Sequence, residues 1–287
     1  MTELKVNSQF LGLKDVKLHV HDYGPPGRPV VLIHGWPLSG ASWAHQVTAL
    51  SSAGLRVITY DRRGFGRSDK PRSGYDYDTL TDDLAGLLDR LDLWEVSLIG
   101  FSMGGGEVAR YVAKYGESRL HSVVFAAAVT PMMMKSPDNP EGPLDESTAA
   151  QMNTQLKASP NKFYEQFTKE FFSANADGEL LVDKEEQLEA VRLCGQADKA
   201  AALAAMQSFG TTDFRDDLTR ITVPTLVIHG DADGIVPLDG SGRRTHEAVR
   251  HSELAVVQGA PHGLNVSHAG EFNRELVDFL ARAEQKV

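Results

Sequence analysis

The sequence predicts an α/β fold built on a mostly parallel β-sheet with helices on both faces. Short β-rich runs alternate with helical patterns in the first part of the chain, which is typical of βαβ units. The run 122–129 is nearly all apolar, as expected of an internal parallel strand covered by helices on both sides. With 287 residues, 41% of them hydrophobic, the chain is long enough for one large core plus an insertion.

The individual elements follow from their hydrophobic periods. Residues 16–21 alternate apolar and polar side chains, which predicts a half-exposed antiparallel strand at the edge of the sheet. Further strands are predicted at 29–33, 56–60, 96–99, 122–129, 224–230 and 253–257, and helices at 42–53, 79–91 and 269–283.

Between residues 130 and 221 this alternation stops. A Pro/Met stretch at 131–134 precedes several helical patterns. We interpret residues 131–219 as a helical cap inserted into a core that comprises residues 1–130 and 220–287. The Met, Phe and Leu side chains of the cap would fold over the core and shape an apolar pocket.

The composition limits the classes of partner and compartment. The 29 basic and 39 acidic residues give a net charge of −10, which argues against nucleic acid or an anionic membrane as a partner. The lone Cys194 cannot form an internal disulfide, and residues 1–5 lack the pattern of a secretory signal, so we expect a cytoplasmic protein. No apolar stretch reaches the ~18 residues that would span a bilayer. Assembly into a homo-oligomer stays open.

A nucleophile elbow is the strongest chemical signal in the chain. The segment Gly100-Phe101-Ser102-Met103-Gly104 lies between the apolar run 96–99 and a predicted helix, so the turn displays Ser102. Such a strained turn needs neighbours without Cβ atoms. The Met103 amide would lie at the positive end of the helix dipole, where negative charge developing on an oxygen is stabilised.

An activated serine needs a base and a group that orients the base, and in this architecture they follow in the order Ser, Asp, His. His262 follows the last predicted strand and is the candidate base. The loop after the strand 224–230 offers two carboxylates, Asp231 and Asp233, of which Asp231 could instead form a turn. All of these side chains lie at the same carboxyl edge of the predicted sheet as Ser102.

An oxyanion hole needs two backbone N–H donors, one from the residue after the nucleophile and one from the loop after the strand 29–33. Met103 is the first. Trp36 is the candidate for the second, because Pro37 has no N–H. Pro37 also pushes the residue before it toward extended conformations, which restricts the direction of the Trp36 carbonyl.

Two metal-binding patterns fail on their spacing. His246 and His251 are five residues apart, whereas the zinc-binding helix motif places its histidines four apart. The segment 231–234 lacks the further ligands of a calcium loop. We therefore expect no metal site. The alternating charges of residues 61–67 predict a salt-linked turn at the entrance of the active site.

Five segments, in order along the chain, resemble a known family: His34–Pro37, Tyr60–Ser68, Gly100–Gly106, His229–Asp233 and Gly259–Gly263. The chain is similar over nearly its whole length to the α/β-hydrolases, and more narrowly to the cofactor-free haloperoxidases and arylesterases. The resemblance implies an α/β-hydrolase fold with a mostly parallel eight-stranded sheet, helices on both faces and an inserted helical cap. It also implies that no cofactor is used.

The resemblance implies a catalytic triad of Ser102, Asp233 and His262. Asp233 is favoured over Asp231 because the acid of the family lies four residues before a proline, here Pro237. We expect Ser102 to attack an acyl carbon while His262 takes its proton, and Asp233 to hold His262 in the required tautomer.

The implied activity is ester hydrolysis through an acyl-enzyme. For many members the acyl group passes instead to hydrogen peroxide, which gives a peracid that oxidises halide. The expected partner is a small-molecule ester, or a carboxylic acid plus hydrogen peroxide. Some close relatives open γ-lactams, so a lactamase or amidase with the same triad is the alternative. A ligand-binding receptor on the same fold is a further one.

We hypothesise a role for Pro37 in choosing the nucleophile that removes the acyl group. If the Trp36 carbonyl points into the site, it can accept a hydrogen bond from bound peroxide and favour peroxide over water. The alternative is that Pro37 only stiffens the loop.

Overall fold

The computed structural model describes residues 6–24 and 27–284. Residues 1–5, on which the expected absence of a secretory signal depends, lie outside this range. None of the helices in the described part of the chain has the length and hydropathy needed to cross a bilayer.

A single eight-stranded sheet forms the centre of the described structure. Its strands are β1 (Asn7–Gly12), β2 (Lys17–Tyr23), β3 (Pro29–Ile33), β4 (Arg56–Tyr60), β5 (Val96–Phe101), β6 (Leu120–Ala126), β7 (Thr225–Gly230) and β8 (Glu253–Val257). The spatial order is β1-β2-β4-β3-β5-β6-β7-β8. β2 pairs antiparallel with β1 and β4, and all other neighbours are parallel. The predicted mostly parallel sheet is confirmed.

The prediction that residues 16–21 form the edge strand is wrong. β2 is internal, because β1 pairs with its outer side over the full length of β1. Three successive polar residues and a terminal glycine leave no alternation in β1, and Phe10 is 53% exposed. An edge strand with little buried surface need not alternate apolar and polar residues. The sequence pattern therefore did not predict β1.

Helices cover both faces of the sheet, as predicted. They are α1 (Ala44–Ser52), α2 (Tyr77–Arg90), α3 (Met103–Tyr115), α4 (Glu146–Ala158), α5 (Pro160–Phe172), α6 (Lys184–Cys194), α7 (Lys199–Thr211), α8 (Arg215–Leu218), α9 (Gly242–Ala248), α10 (Leu264–Ser267) and α11 (Ala269–Glu284). α1 packs against α11, and α2, α3, α8 and α9 form a second row in which each contacts the next. The core therefore has three layers, helix–sheet–helix.

Five helices, α4 to α8, separate β6 from β7 in the chain. Three of them begin at an aspartate whose side chain accepts the backbone N–H three residues on: Asp145, Asp183 and Asp198. These N-caps satisfy donors that the first helical turn leaves free. The cap predicted at 131–219 contains these helices, and its separation from the core as a unit stays a prediction.

Candidate active site

Ser102 stands at the sharp turn between β5 and α3. Its backbone adopts φ 54° and ψ −117°, a conformation that costs a non-glycine residue about 1–3 kcal/mol. Neighbouring strands and loops fix the turn: Ser102 N donates to Ala126 O over 2.8 Å, and Val129 N donates to Ser102 O over 3.2 Å. A Cβ at Gly100 would lie 2.4 Å from the carbonyl oxygen of Gly104, so glycine is required where strand and helix meet.

His262 lies within hydrogen-bond distance of this serine. The loop after β8 brings it there, and its Nε2 is 2.9 Å from Ser102 Oγ. The imidazole is buried, with its ring centroid 5.3 Å from that of Phe101 and 5.2 Å from that of Phe171. Two aromatic rings thus limit the directions in which the imidazole can point.

Asp233, in the loop after β7, lies on the other side of the imidazole. Its Oδ2 is 2.6 Å from His262 Nδ1. Its Oδ1 accepts the backbone N–H groups of Ile235 and Val236 over 2.9 and 2.8 Å. The carboxylate is therefore held by its own loop while it faces the histidine.

The surroundings of Asp233 keep its carboxyl group ionised. Burial alone would raise its pKa, but the charge of His262 and hydrogen bonds from His229 and His262 outweigh burial, and the pKa of Asp233 is lowered. An ionised carboxylate only accepts hydrogen bonds. His262 Nδ1 must then carry a proton; in the neutral form of the imidazole this leaves Nε2 to accept the hydrogen bond from Ser102.

Asp231, the alternative carboxylate, occupies a different place. It is exposed, and its Oδ1 accepts the backbone N–H of Gly259 over 2.6 Å. Asp231 therefore ties the loop after β7 to the loop after β8, and the structure brings Asp233 rather than Asp231 to His262.

The loop after β3 runs directly beside the elbow. A Cβ at Gly35 would lie 3.1 Å from Ser102 Cβ, which places the backbone of the next residue, Trp36, next to the nucleophile. The Trp36–Pro37 peptide bond is cis. Met103 is the first residue of α3, so its N–H has no partner within the helix. The residues that carry the two candidate oxyanion donors thus lie beside Ser102, and their role as donors stays a prediction.

A cavity of about 580 Å³ opens onto Ser102 and His262. Its inner wall is apolar and includes Val129, Met133, Phe163, Phe167, Met206, Phe209 and Val236; its polar lining includes Glu146, Gln151, Asn153, Gln166, Glu170 and Gln207. Most of these residues belong to α4, α5 and α7. Two of the residues described as lining the cavity are acidic, and none is Lys or Arg.

The charged string 61–67 does not line the entrance, and this part of the sequence prediction is wrong. Arg62 is 1% exposed, and its Nε donates to Glu107 Oε1 over 2.6 Å. Tyr60 Oη donates to the other carboxylate oxygen over 2.9 Å. Burial raises the pKa of Glu107 above its ordinary value. The string is salt-linked, as predicted, but all of it except Arg67 is buried.

Arg62 connects this buried pair to the loop that carries Trp36. One of its terminal nitrogens donates to the carbonyl oxygen of His34 over 2.6 Å, and its backbone N–H donates to His34 Nε2 over 3.0 Å. Burial and the nearby guanidinium lower the pKa of His34 well below its ordinary value, so this ring is neutral. Sequence reasoning missed Glu107, because its partner Arg62 lies 45 residues away and no local pattern joins them.

His229 is a second residue to which the sequence analysis gave no role of its own, although it lies in a predicted strand and in one of the five family segments. Its Nε2 is 2.7 Å from the carbonyl oxygen of Val236 and 3.3 Å from Asp233 Oδ2. His229 therefore supports the loop from which Asp233 faces His262. A buried histidine inside an apolar strand was the available signal.

Comparisons with known proteins agree with this architecture. The family model of the alpha/beta hydrolase fold matches residues 28–269. The chain is 44% identical to a putative non-heme chloroperoxidase of Synechocystis sp., over 92% of this chain and 95% of that protein. It is 34% identical to a bifunctional esterase/perhydrolase of Acinetobacter calcoaceticus, over 94% and 99% respectively.

A solved structure is similar over the same extent. The crystal structure of a bromoperoxidase from Bacillus anthracis matches with a TM-score of 0.92 and 48% identity, and covers 96% of this chain and 100% of that one. The resemblance inferred from five sequence segments is confirmed. The chain is an enzyme of the α/β-hydrolase superfamily, and it belongs there to the group of non-heme haloperoxidases and esterase/perhydrolases.

Proposed function

We propose that this enzyme is a serine carboxylic-ester hydrolase of the arylesterase type that also transfers its acyl group to hydrogen peroxide. The observation that carries the proposal is the continuous relay from Ser102 Oγ to His262 Nε2, at 2.9 Å, and from His262 Nδ1 to Asp233 Oδ2, at 2.6 Å. A relay of this kind at an accessible cavity is what activation of a serine hydroxyl requires.

In the first half of the reaction, Ser102 Oγ attacks the ester carbonyl carbon while His262 Nε2 takes its proton. The resulting imidazolium is stabilised by Asp233, whose lowered pKa keeps it charged. His262 then returns the proton to the departing alcohol or phenol oxygen. The products of this half are the free alcohol and an acyl group esterified to Ser102.

The negative oxygen of the tetrahedral intermediate would be bound by the N–H groups of Trp36 and Met103. Each such donor contributes about 2.7 to 4 kcal/mol of transition-state stabilisation. The buried link from Glu107 through Arg62 to the His34 carbonyl supports the loop that carries the first donor. The second donor is fixed by the start of α3.

In the second half, His262 removes a proton from water or from hydrogen peroxide, and that oxygen attacks the acyl carbon. Water gives a carboxylic acid, and hydrogen peroxide gives a peracid; in both cases Ser102 Oγ leaves with a proton from His262. Started from a carboxylic acid, the same steps release water in the first half. The relatives, a putative non-heme chloroperoxidase and a bifunctional esterase/perhydrolase, support both outcomes.

The cavity lining supports neutral, compact acyl and alcohol groups as substrates. Its inner wall is apolar, and its charged residues are Glu146 and Glu170. A second carboxylate on the substrate would meet like charge and no cation along the described lining. We therefore infer small aryl and alkyl esters, rather than monoesters of dicarboxylic acids.

The proposal is tested by one panel run on the wild type and on Ser102→Ala. The panel contains p-nitrophenyl acetate, a p-nitrophenyl monoester of a dicarboxylic acid, a γ-lactam, and acetic acid plus hydrogen peroxide. We expect Ser102-dependent turnover of the acetate ester and formation of peracid, unchanged by a chelator. Faster turnover of the lactam than of the esters would favour the amidase alternative, and activity retained in Ser102→Ala would overturn the serine mechanism.

A further inference from the structure

The methionines of this chain are concentrated around one cavity. The chain has seven, and four of them, Met133, Met134, Met152 and Met206, line the cavity that Ser102 and His262 also line. Met133 and Met206 are only 3% and 7% exposed, so their accessible surface is small. Both side chains line the same cavity as Ser102, so an acyl group on Ser102 would share that cavity with them.

The segment that carries two of these methionines is held firmly. The Asn139 side-chain amide donates to Met134 O over 2.7 Å and to Met132 O over 3.2 Å. Leu144 N donates to Met133 O over 3.0 Å. These hydrogen bonds hold the backbone of Met133 and Met134 in place at the side of the cavity.

We propose that Met133 and Met206 are sites of oxidative self-modification by the peracid that the enzyme makes. This inference rests on the proposed perhydrolysis. A thioether is oxidised to a sulfoxide that is polar and no longer fits an apolar wall. The enzyme would thus lose its apolar acyl pocket in proportion to the peracid it forms.

Hydrogen peroxide is the oxidant that this modification consumes. The acyl-enzyme and hydrogen peroxide give a peracid and free Ser102. The methionine sulfur then attacks the terminal peracid oxygen, the O–O bond breaks, and an S–O bond forms. The proton of that oxygen passes to the departing carboxylate, so a carboxylic acid is regenerated. Sulfur loses two electrons, and the peracid gains two.

The position of the other methionines makes the proposal specific. Met132 is half-buried, does not line the cavity, and directly precedes Met133. An oxidant arriving from bulk solvent should oxidise Met132 more readily than the buried Met133. An oxidant formed at Ser102 should do the opposite. The buried Met103 does not line the cavity either and should stay reduced.

The test is peptide mapping by mass spectrometry after turnover with acetic acid and hydrogen peroxide. Free methionine is added in excess to consume peracid that escapes into solution, and its sulfoxide reports how much escaped. We expect a gain of one oxygen on Met133 and Met206, ahead of Met132, in the wild type. Ser102→Ala treated in the same way should show neither gain, and Ser102→Ala exposed to added peracetic acid should show Met132 oxidised first.

The outcomes separate this inference from the proposed function. Ser102-dependent peracid without oxidation of Met133 and Met206 would overturn the self-modification and leave perhydrolysis standing. Absence of Ser102-dependent peracid would overturn both. Oxidation in the order that Ser102→Ala shows with added peracetic acid would also overturn it, because the oxidant would then come from solution.

A second readout follows the activity itself. Met133→Leu combined with Met206→Leu removes both thioethers and keeps apolar side chains of similar size. Each variant is compared with its own starting esterase activity after a period of perhydrolysis. We expect the double variant to retain a larger fraction than the wild type, and Met132→Leu to decline with the wild type. Equal decline of all three would contradict the proposal.

Discussion

Ser102 holds a backbone conformation that few residues other than glycine adopt, and the fold supports it from three sides. Its N–H donates to β6, its carbonyl oxygen accepts from Val129, and the same oxygen accepts from Gly105 at the start of α3. Because these bonds fix the turn, the hydroxyl faces His262 without a change of backbone. The strain is thus part of how the nucleophile is positioned.

This strain predicts an order of stability between two inactive variants. Ser102→Gly relieves about 1–3 kcal/mol of strain and loses about 0.5–1 kcal/mol to the greater freedom of glycine in the unfolded chain. Ser102→Ala relieves none of it. We expect Ser102→Gly to be more stable than Ser102→Ala by about 1 kcal/mol in urea unfolding. Equal stability, or the reverse order, would show that the turn is not strained.

The two aspartates of the loop after β7 form a matched pair for testing the orienting carboxylate. Asp233→Asn should lower kcat on an ester by roughly 10³–10⁴, because an amide does not hold His262 in the required tautomer. Asp231→Asn, which alters an exposed turn, should keep most of the activity. Since the pKa of Asp233 is lowered, the same ratio is expected at pH 5 and pH 7. Comparable losses in both variants would contradict the assignment.

Pro37 is tested by the choice between two nucleophiles. We expect Pro37→Leu to lower the ratio of perhydrolysis to hydrolysis, because the Trp36 carbonyl is then no longer directed by a following proline. The measurement is the yield of peracid and of acid from one acyl donor over a range of hydrogen peroxide concentrations. An unchanged ratio would mean that the proline only stiffens the loop.

At the level of elements, the site depends on how α3 is attached to the strand ends beside it. Glu107, in the second turn of α3, is completely buried, and it pairs with Arg62 and Tyr60 at the end of β4. Such a pair costs desolvation on both sides, and its stability depends on both partners being present. Because Arg62 also donates to the His34 carbonyl oxygen, the pair connects the helix that begins after Ser102 to the loop that carries Trp36.

Removing one partner of this pair should therefore cost far more than removing one partner of an exposed pair. We expect Glu107→Ala to lower the free energy of unfolding by about 3–5 kcal/mol, because it leaves Arg62 buried and unpaired. The matched control is Glu189→Ala on α6, where Arg192 and Glu189 form an exposed pair; its effect should stay within about 1 kcal/mol. Urea unfolding measures both, and similar losses would contradict this account.

Elements with a buried face were predictable from the sequence, and those without one were not. β3 to β8 carry apolar runs and were placed to within a few residues. β1 has little buried surface, so its residues show no hydrophobic alternation and the strand was not predicted. β6 begins at Leu120, two residues before its predicted start, because the polar His121 separates Leu120 from the apolar run that marks the strand.

At the scale of the whole molecule, the site lies where the inserted helices meet the strand ends. Backbone bonds join the two parts: Asn175 N donates to Ala232 O over 2.7 Å, and Asp198 N donates to Gly64 O over 2.8 Å. The Trp36 indole adds a third link, to the Ala202 carbonyl. The candidate triad was predictable because its motifs follow strand ends. The cavity wall was not, since it depends on how α4, α5 and α7 pack together.

The central claim is that Ser102 is an activated nucleophile that a substrate reaches through this cavity. The most direct test is labelling with a p-nitrophenyl phosphonate, followed by release of p-nitrophenol and by peptide mapping. We expect stoichiometric labelling on Ser102 in the wild type, much slower labelling in His262→Ala, and none in Ser102→Ala. A label on another residue, or labelling that persists in Ser102→Ala, would contradict the claim.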